Sequence, residues 1–348
     1  MAVATGARLA LEGPVWLADR ARWLWLRALG PLAKPLVRRR ELRVALAGTS
    51  MIALSFAGAV ALPMWLLALG PVVWGTPHVL SDLRYLWVRP GWHRRWALWL
   101  LVVVPLALAT LTAHPAWGFG AAIGAIVGAR GSLARKSLAL ALALALLWVA
   151  LAYPALTAVV FAHAHNFIGV AIFWAWRRRA GKLHYLPLAL FALGSLVLVS
   201  GALDSAVLAL GALGTNPGGL DVYYHLASLS PGVEGMLGVR LVLLFAFAQS
   251  VHYAVWVRLV PEEDRKRETP RTFAASLRAL RADLGPWVLG AAIVVTLAVA
   301  VWAAWDVFAA RNGYLRMVLF HGHLEVAAAC LLFIEGMRPR ESTEGAPA

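Results

Sequence analysis

Long apolar runs separated by short polar connections cover most of the 348 residues, and their lengths suit helices that cross a bilayer, which need about 20 apolar residues each. The runs fall at 44–63, 70–88, 96–113, 117–129, 137–153, 156–176, 185–212, 235–258, 286–309 and 315–336. They predict an all-α fold, a polytopic transmembrane helical bundle of about ten spans. The fourth run is short enough to be either a span or a re-entrant segment. The stretch from Val44 to Val88 is divided near Leu66–Pro71, where Gly and Pro interrupt it.

Basic residues punctuate this pattern at Arg38–Arg40, Arg89–Arg95, Arg130–Lys136, Arg177–Lys182, Arg265–Arg281 and Arg338–Arg340. Two apolar runs separate each successive pair up to Lys182, while the segment from Gly214 to Val239 has no Lys or Arg and carries Asp221 and Glu234. Lys and Arg collect on the cytoplasmic side of a membrane protein, so both termini are expected there. The segment 1–43 reads as an amphipathic interfacial arm, with Trp16, Leu17, Trp23, Leu24, Trp25 and Leu26 interleaved with arginines. It lacks the apolar core of a cleavable signal. The transmembrane domain is expected over 44–338, followed by a short disordered tail at 339–348.

Composition agrees with this reading and narrows the partners. The chain is 61% hydrophobic and 14% charged, and its mean hydropathy is +0.73. The bilayer is its expected solvent, and the bacterial inner membrane its expected location. A net charge of +15 sits in inter-span clusters suited to anionic lipid, so no nucleic acid partner is expected. The single cysteine, Cys330, excludes an internal disulfide and any thiolate metal box, so metal ligands would have to be histidines and carboxylates.

Ionisable groups cost several kcal/mol at the bilayer centre, so those inside spans call for a partner or a cavity. Of ten histidines, six fall in predicted spans: His78, His163, His165, His252, His321 and His323. All six lie on even-numbered runs, which share one direction across the membrane. Counting from the outer end puts His78, His165 and the His321/His323 pair near mid-depth, and His252 closer to the cytoplasm. His78 and Asp82 are four residues apart and share a helix face, as do His321 and Glu325. In the pairs His163/His165 and His321/His323 the two rings diverge by about 200°, so one of each can face a common centre. His78, His165, His252 and His321 are the candidate metal ligands, with Asp82, His163, Asn166, His323, Glu325 and Tyr253 as further ligands or supports. Gln249 and Ser250 are additional candidates for support. Arg84 and Arg240 are expected to pair with acids or snorkel, and Asp204 to form an ion pair or a hydrogen bond. His93, His114, His184 and His225 read as loop or interface residues, with His225 placed to cap the site from outside.

Imidazoles with one or two carboxylates and no thiolate suit non-haem Fe(II) and also zinc. Paired histidines on one helix equally suit haem, and a string of His, Asp and Glu suits proton or ion transport. The stretch Gly75-Thr76-Pro77-His78-Val79-Leu80-Ser81-Asp82 resembles the Gly-x-Pro-His-x-x-x-Asp segment of the Brp/Blh family of bacterial membrane β-carotene 15,15'-dioxygenases. Gln249-Ser250-Val251-His252 is loosely similar to a later histidine region of that family. The resemblance implies a polytopic iron enzyme that cleaves a carotenoid to retinal, with His78 as an iron ligand and Asp82 beside it. The expected function is therefore a non-haem iron oxygenase acting on a lipophilic substrate, a carotenoid or another isoprenoid or lipid. The alternative is a haem-binding electron-transfer protein or a proton- or ion-coupled transporter.

Overall fold

Proline and left-handed glycine set the breaks between helices. Leu62, His114 and Tyr153 each leave helical geometry just before Pro63, Pro115 and Pro154, because a proline ring disfavours helical backbone in the residue before it. Gly91, Gly201 and Gly285 turn the chain at φ of 82°, 84° and 81°. The computed structural model describes residues 2–176 and 181–336, and among them every regular element is a helix.

The principal helices are α1 (Ala2–Ala28), α2 (Arg40–Ala61), α3 (Pro63–Asp82), α4 (Trp96–Thr112), α5 (Pro115–Gly128), α6 (Leu133–Ala152) and α7 (Pro154–Trp176). Then follow α8 (Tyr185–Ser200), α9 (Val222–Leu229), α10 (Gly235–Ala254), α11 (Phe273–Trp305), α12 (Val307–Met317) and α13 (Phe320–Glu335). Six segments are long and apolar enough to cross a membrane: α2, α6, α7, α10 continued to Glu263, α11, and α12 with α13. Helices α4, α5 and α8 are apolar but shorter.

α10 is the central post. Of its most apolar window 61% is buried, against 11% for α6 and α11, so α10 is enclosed by protein while α6 and α11 show apolar side chains outward. A helix apolar on every face is stable only when surrounded in this way. Phe247 of α10 packs edge-on against Phe56 of α2 at 5.8 Å and tilted against Phe191 of α8 at 5.5 Å.

Arg43, Arg84, Arg89, Arg95 and Arg265 meet acids at one end of the bundle in ion pairs, most of which cross long sequence distances, while residues 177–180 and 338–340 of the basic clusters lie outside the described residues. Glu262 receives Arg43 at 2.7 Å and Arg258 at 2.9 Å, and also pairs with Arg265. Asp283 takes Arg84 at 2.7 Å and Arg89 at 2.9 Å, Asp264 pairs with Arg89, and Glu335 holds Arg95 at 2.6 Å. The arm α1 reaches this end as well. Asp19 accepts from Phe273 N at 2.6 Å and Ala274 N at 3.1 Å, capping the start of α11, while Trp16, Trp23 and Trp25 stay exposed. Away from this cluster, Asp204 pairs with Arg240 at 2.5 Å.

Several boundaries differ from the sequence reading. The first break falls at Leu62, not Leu66–Pro71, because Gly70 and Pro71 are accommodated inside α3. The helix of the run 185–212 stops at Ser200 on left-handed Gly201, and the ninth run belongs to α11, which begins earlier at Phe273 and kinks at Gly285–Pro286. The last run is two helices parted at Val318–Leu319. The tail at 339–348 lies outside the described residues.

Removing Glu262 would strand three guanidiniums at the basic end. Glu262→Ala is expected to destabilise the fold by about 3–5 kcal/mol, the usual cost of breaking a buried pair from one side, measured as a lower thermal midpoint in neutral detergent. A midpoint equal to wild type would show that the cluster does not hold the helices together.

Candidate metal centre

Four imidazoles and two carboxylates from four helices converge in the interior. On α3, His78 sits one turn before Asp82, with its Nε2 3.2 Å from Asp82 Oδ2. His252 of α10 brings its Nε2 to 3.1 Å from His78 Nε2. His321 of α13 lies 5.2 Å from His78, and His165 of α7 lies 5.3 Å from both His252 and His321, ring centre to ring centre. Glu325, one turn beyond His321, places Oε1 3.4 Å from His252 Nε2.

Hydrogen bonds set the tautomers of three rings. His165 donates from Nδ1 to Ala162 O at 2.9 Å and His321 from Nδ1 to Val318 O at 2.6 Å, each to its own helix. His252 points Nδ1 at Asn166 O, 3.4 Å away. Each ring then presents an unprotonated Nε2, the arrangement by which outer contacts orient metal-binding histidines. His252 Nε2 lies 3.1 Å from His78 Nε2, whose Nδ1 has no partner among the described residues, so either His78 carries its proton on Nε2 and donates it to His252, or a cation lies between two lone pairs.

The carboxylates sharpen the imbalance. Asp82 and Glu325 are both 0% exposed, and none of their four oxygens receives a hydrogen bond among the described residues. The indole N–H of Trp256 lies beside Glu325 without an aligned bond. A buried carboxylate stays ionised only beside a cation or a full set of donors, and otherwise takes up a proton. Ligand atoms of His78, His252 and His321 all lie within 4.8 Å of one another, as do those of His78, Asp82 and Glu325. With metal bonds of about 2.0–2.2 Å, ligand atoms sit up to ~4.4 Å apart around one ion, so a small contraction suffices for either set of three, and His165 belongs to neither.

Local structure makes room for the cluster. Wide π turns follow Asp82 (Leu83–Val88) and His252 (Val255–Leu259), and Ser81 Oγ donates to Trp256 O at 2.6 Å, tying the two together. At Gly169, one turn beyond His165, a Cβ would lie 2.5 Å from His252 Cε1. At Gly322, beside His321, it would press on the His165 ring at 3.3 Å.

The remaining candidates are placed elsewhere. His163 turns to Leu229 O at 2.9 Å, and His323 stacks flat on Phe161 at 4.2 Å, so neither ring joins the four. Asn166 supports His252 through its backbone carbonyl, while its amide is spent on Ala162 O at 3.1 Å. Ser250 bonds its own helix at Ala246 O, and Tyr253 lies 5.2 Å from His78. His252 is level with His78 rather than nearer the cytoplasm, because depth counted along a sequence ignores helix tilt and the stagger between helices. His225 is fully buried on α9 rather than at a surface, with both ring nitrogens unpartnered. Next to it, buried Arg311 donates to Leu67 O at 2.8 Å and to Asn312 Oδ1 at 2.8 Å. Trp256, Tyr314 and Arg311 were not among the sequence candidates. The Tyr314 ring fills the space over Gly75, so that glycine inside the His78 motif was the available signal.

The fold and this cluster define an all-helical protein of membrane-spanning type with a buried histidine–carboxylate centre. Comparison of the chain with family models, with curated proteins and with solved structures gave no match.

Two outcomes follow. Gly169→Ala forces a methyl group into the His252 ring and is expected to cost about 1–3 kcal/mol through overpacking, read as a lower thermal midpoint; an unchanged midpoint would mean the ring has free space. Burial, reinforced by the Arg311 charge and opposed by Asp221, pulls the His225 pKa down to about 4. Below about pH 6.5 the unfolded chain binds a proton there that the folded protein refuses until about pH 4. Stability is therefore lost across that window, by up to ~3 kcal/mol. His225→Gln should flatten this acid decline; the same pH slope in both proteins would refute it.

Proposed function

We propose that this chain is an integral protein of the bacterial inner membrane, a non-haem iron oxygenase acting on a lipid-soluble substrate such as a carotenoid or another isoprenoid or lipid. Its iron ligands are His78, His165, His252 and His321, supported by Asp82 and Glu325. The six long helices, the three shorter apolar ones and α3 together make ten spans, and the basic end carrying the ion-paired clusters faces the cytoplasm with both termini. The observation that carries the reading is the set of inward Nε2 atoms around two buried carboxylates that no other group neutralises.

Charge balance favours a divalent cation. Neutral imidazoles contribute nothing and the two carboxylates contribute two negative charges, so one Fe(II) or Zn(II) leaves the interior neutral. The resemblance to the Brp/Blh family falls on His78 and Asp82, both in this cluster, and supports iron and a carotenoid-like substrate. Haem fits the cluster poorly, since rings 4.5–5.3 Å apart leave no slab for a porphyrin between them.

Bound iron would supply dioxygen activation at positions the protein leaves open. The chain's own groups prepare that chemistry. The carbonyls of Ala162, Val318 and Asn166 hold three rings in one tautomer, and Asp82 and Glu325 offset the cation charge. His78 and His252 are buried while His165 and His321 are partly exposed, so a lipophilic substrate approaches from the α7 and α13 side. The apolar packing around the cluster keeps bulk water from it.

Elemental analysis and an optical spectrum of the full chain in neutral detergent test this. About one iron per chain without a Soret band is expected, and His78→Ala and His321→Ala should each lose it. Asp82→Asn should weaken metal affinity about 10–100-fold. Stoichiometric zinc would keep the site and remove the oxygenase reading, a Soret band would favour haem, and full metal retention in both alanine variants would remove the site.

A further inference from the structure

A cavity of about 650 Å³ lies outside the histidine cluster, between α1, α3, α11 and the segment after α10. Its inner wall is apolar, formed by Pro77 and Leu80 of α3, Val257, and Leu289, Ala292 and Ile293 of α11. Its mouth at the basic end is lined by Arg22, Arg84, Arg258, Arg265 and Arg271, with Glu262 as the acid among them. Pro77 and Arg84 lie seven positions apart, so the two ends are separated by about 10 Å along α3.

The charge at the mouth is unbalanced. Glu262 already serves Arg43, Arg258 and Arg265, and Arg84 shares Asp283 with Arg89. Arg22 and Arg271, both half-buried, have no carboxylate partner among the described residues. Burial lowers the Arg265 pKa; Glu262 opposes this, and the Arg43, Arg40 and Arg258 charges add to the lowering. Crowded guanidiniums over an apolar slot match an anionic head on a hydrocarbon chain, and Arg is well suited to phosphate. The exposed Trp16, Trp23 and Trp25 of the adjoining arm mark the same level as a membrane interface, where such heads lie.

We infer that this cavity is a binding site for one anionic phospholipid of the leaflet at the basic end, its phosphate held by Arg22 and Arg271 and one acyl chain seated against Leu80, Leu289 and Ile293. The site is independent of the metal reading. It joins the arm to α3 and α11 through a shared ligand, so lipid occupancy adds to the hold that Asp19 has on α11.

The test uses the full chain, delipidated in neutral detergent, with phosphatidylglycerol and phosphatidylcholine as probes and native mass spectrometry as the readout. Phosphatidylglycerol should bind at least tenfold more tightly than phosphatidylcholine. The double variant R22A/R271A should lose that preference, and Ile293→Trp, which fills the slot, should lose both lipids. Thermal midpoint and far-UV circular dichroism, recorded on each variant, show that it is folded. Equal affinity for the two lipids in wild type, or unchanged binding in both folded variants, overturns the proposal. Displacement of phosphatidylglycerol by millimolar inorganic phosphate also overturns it, since the site would then hold an anion without a chain.

Discussion

Two carboxylates buried without donors, facing imidazole nitrogens that carry lone pairs, constrain everything around them. In an apolar interior such groups repel one another and are costly to desolvate, so the surrounding helices must hold them against that cost. The central position of α10 follows from this demand. It carries His252 into the middle of the bundle and lets α3, α7 and α13 bring their own ligating groups to the same point. Glycines at 169 and 322 are the steric counterpart, since any larger side chain there would occupy the space the rings need.

The rest of the molecule divides the work between its ends. At the basic end, carboxylates at 262, 264, 283 and 335 bind clusters that are far apart in sequence, and so fix the relative heights of α2, α3, α10, α11 and α13. Those heights matter because a helix slipped by one residue moves a ligand by about 1.5 Å and rotates it by about 100°. The π turns after Asp82 and His252 add a local adjustment of the same kind, with Ser81 and Trp256 locking them together. Beyond the centre, Arg311, Tyr224, Asn312 and His225 form a separate buried polar group, in which Tyr224 OH donates to Asn312 Oδ1 at 2.9 Å.

Much of the helical architecture was legible before any coordinates. Apolar run length marks a membrane helix because unsatisfied backbone is intolerable in hydrocarbon, and all-helical structure is what the chain forms. Break points were less legible. Pro71 and Pro77 look like interruptions but sit inside α3, whereas Leu62 breaks because Pro63 follows it. Arg84 and Arg240 were recognisable as needing acids, yet only folding showed that the acids are Asp283 and Asp204, one of them 199 residues away.

By itself the sequence determined that histidines 78, 165, 252 and 321 and carboxylates 82 and 325 sit within apolar runs, and that four-residue spacing places two His-carboxylate pairs on single helix faces. It also determined that each His-x-His pair must split. Tertiary structure alone decided that His165 and His321 turn to the centre while His163 and His323 turn away, and that His252 is level with His78. The physical reason is that periodicity describes angles within one helix, whereas the rotation, tilt and height of each helix come from packing against its neighbours. The burial of His225 and Arg311 belongs to the same class, since nothing in their local sequence distinguishes an enclosed short helix from an exposed one.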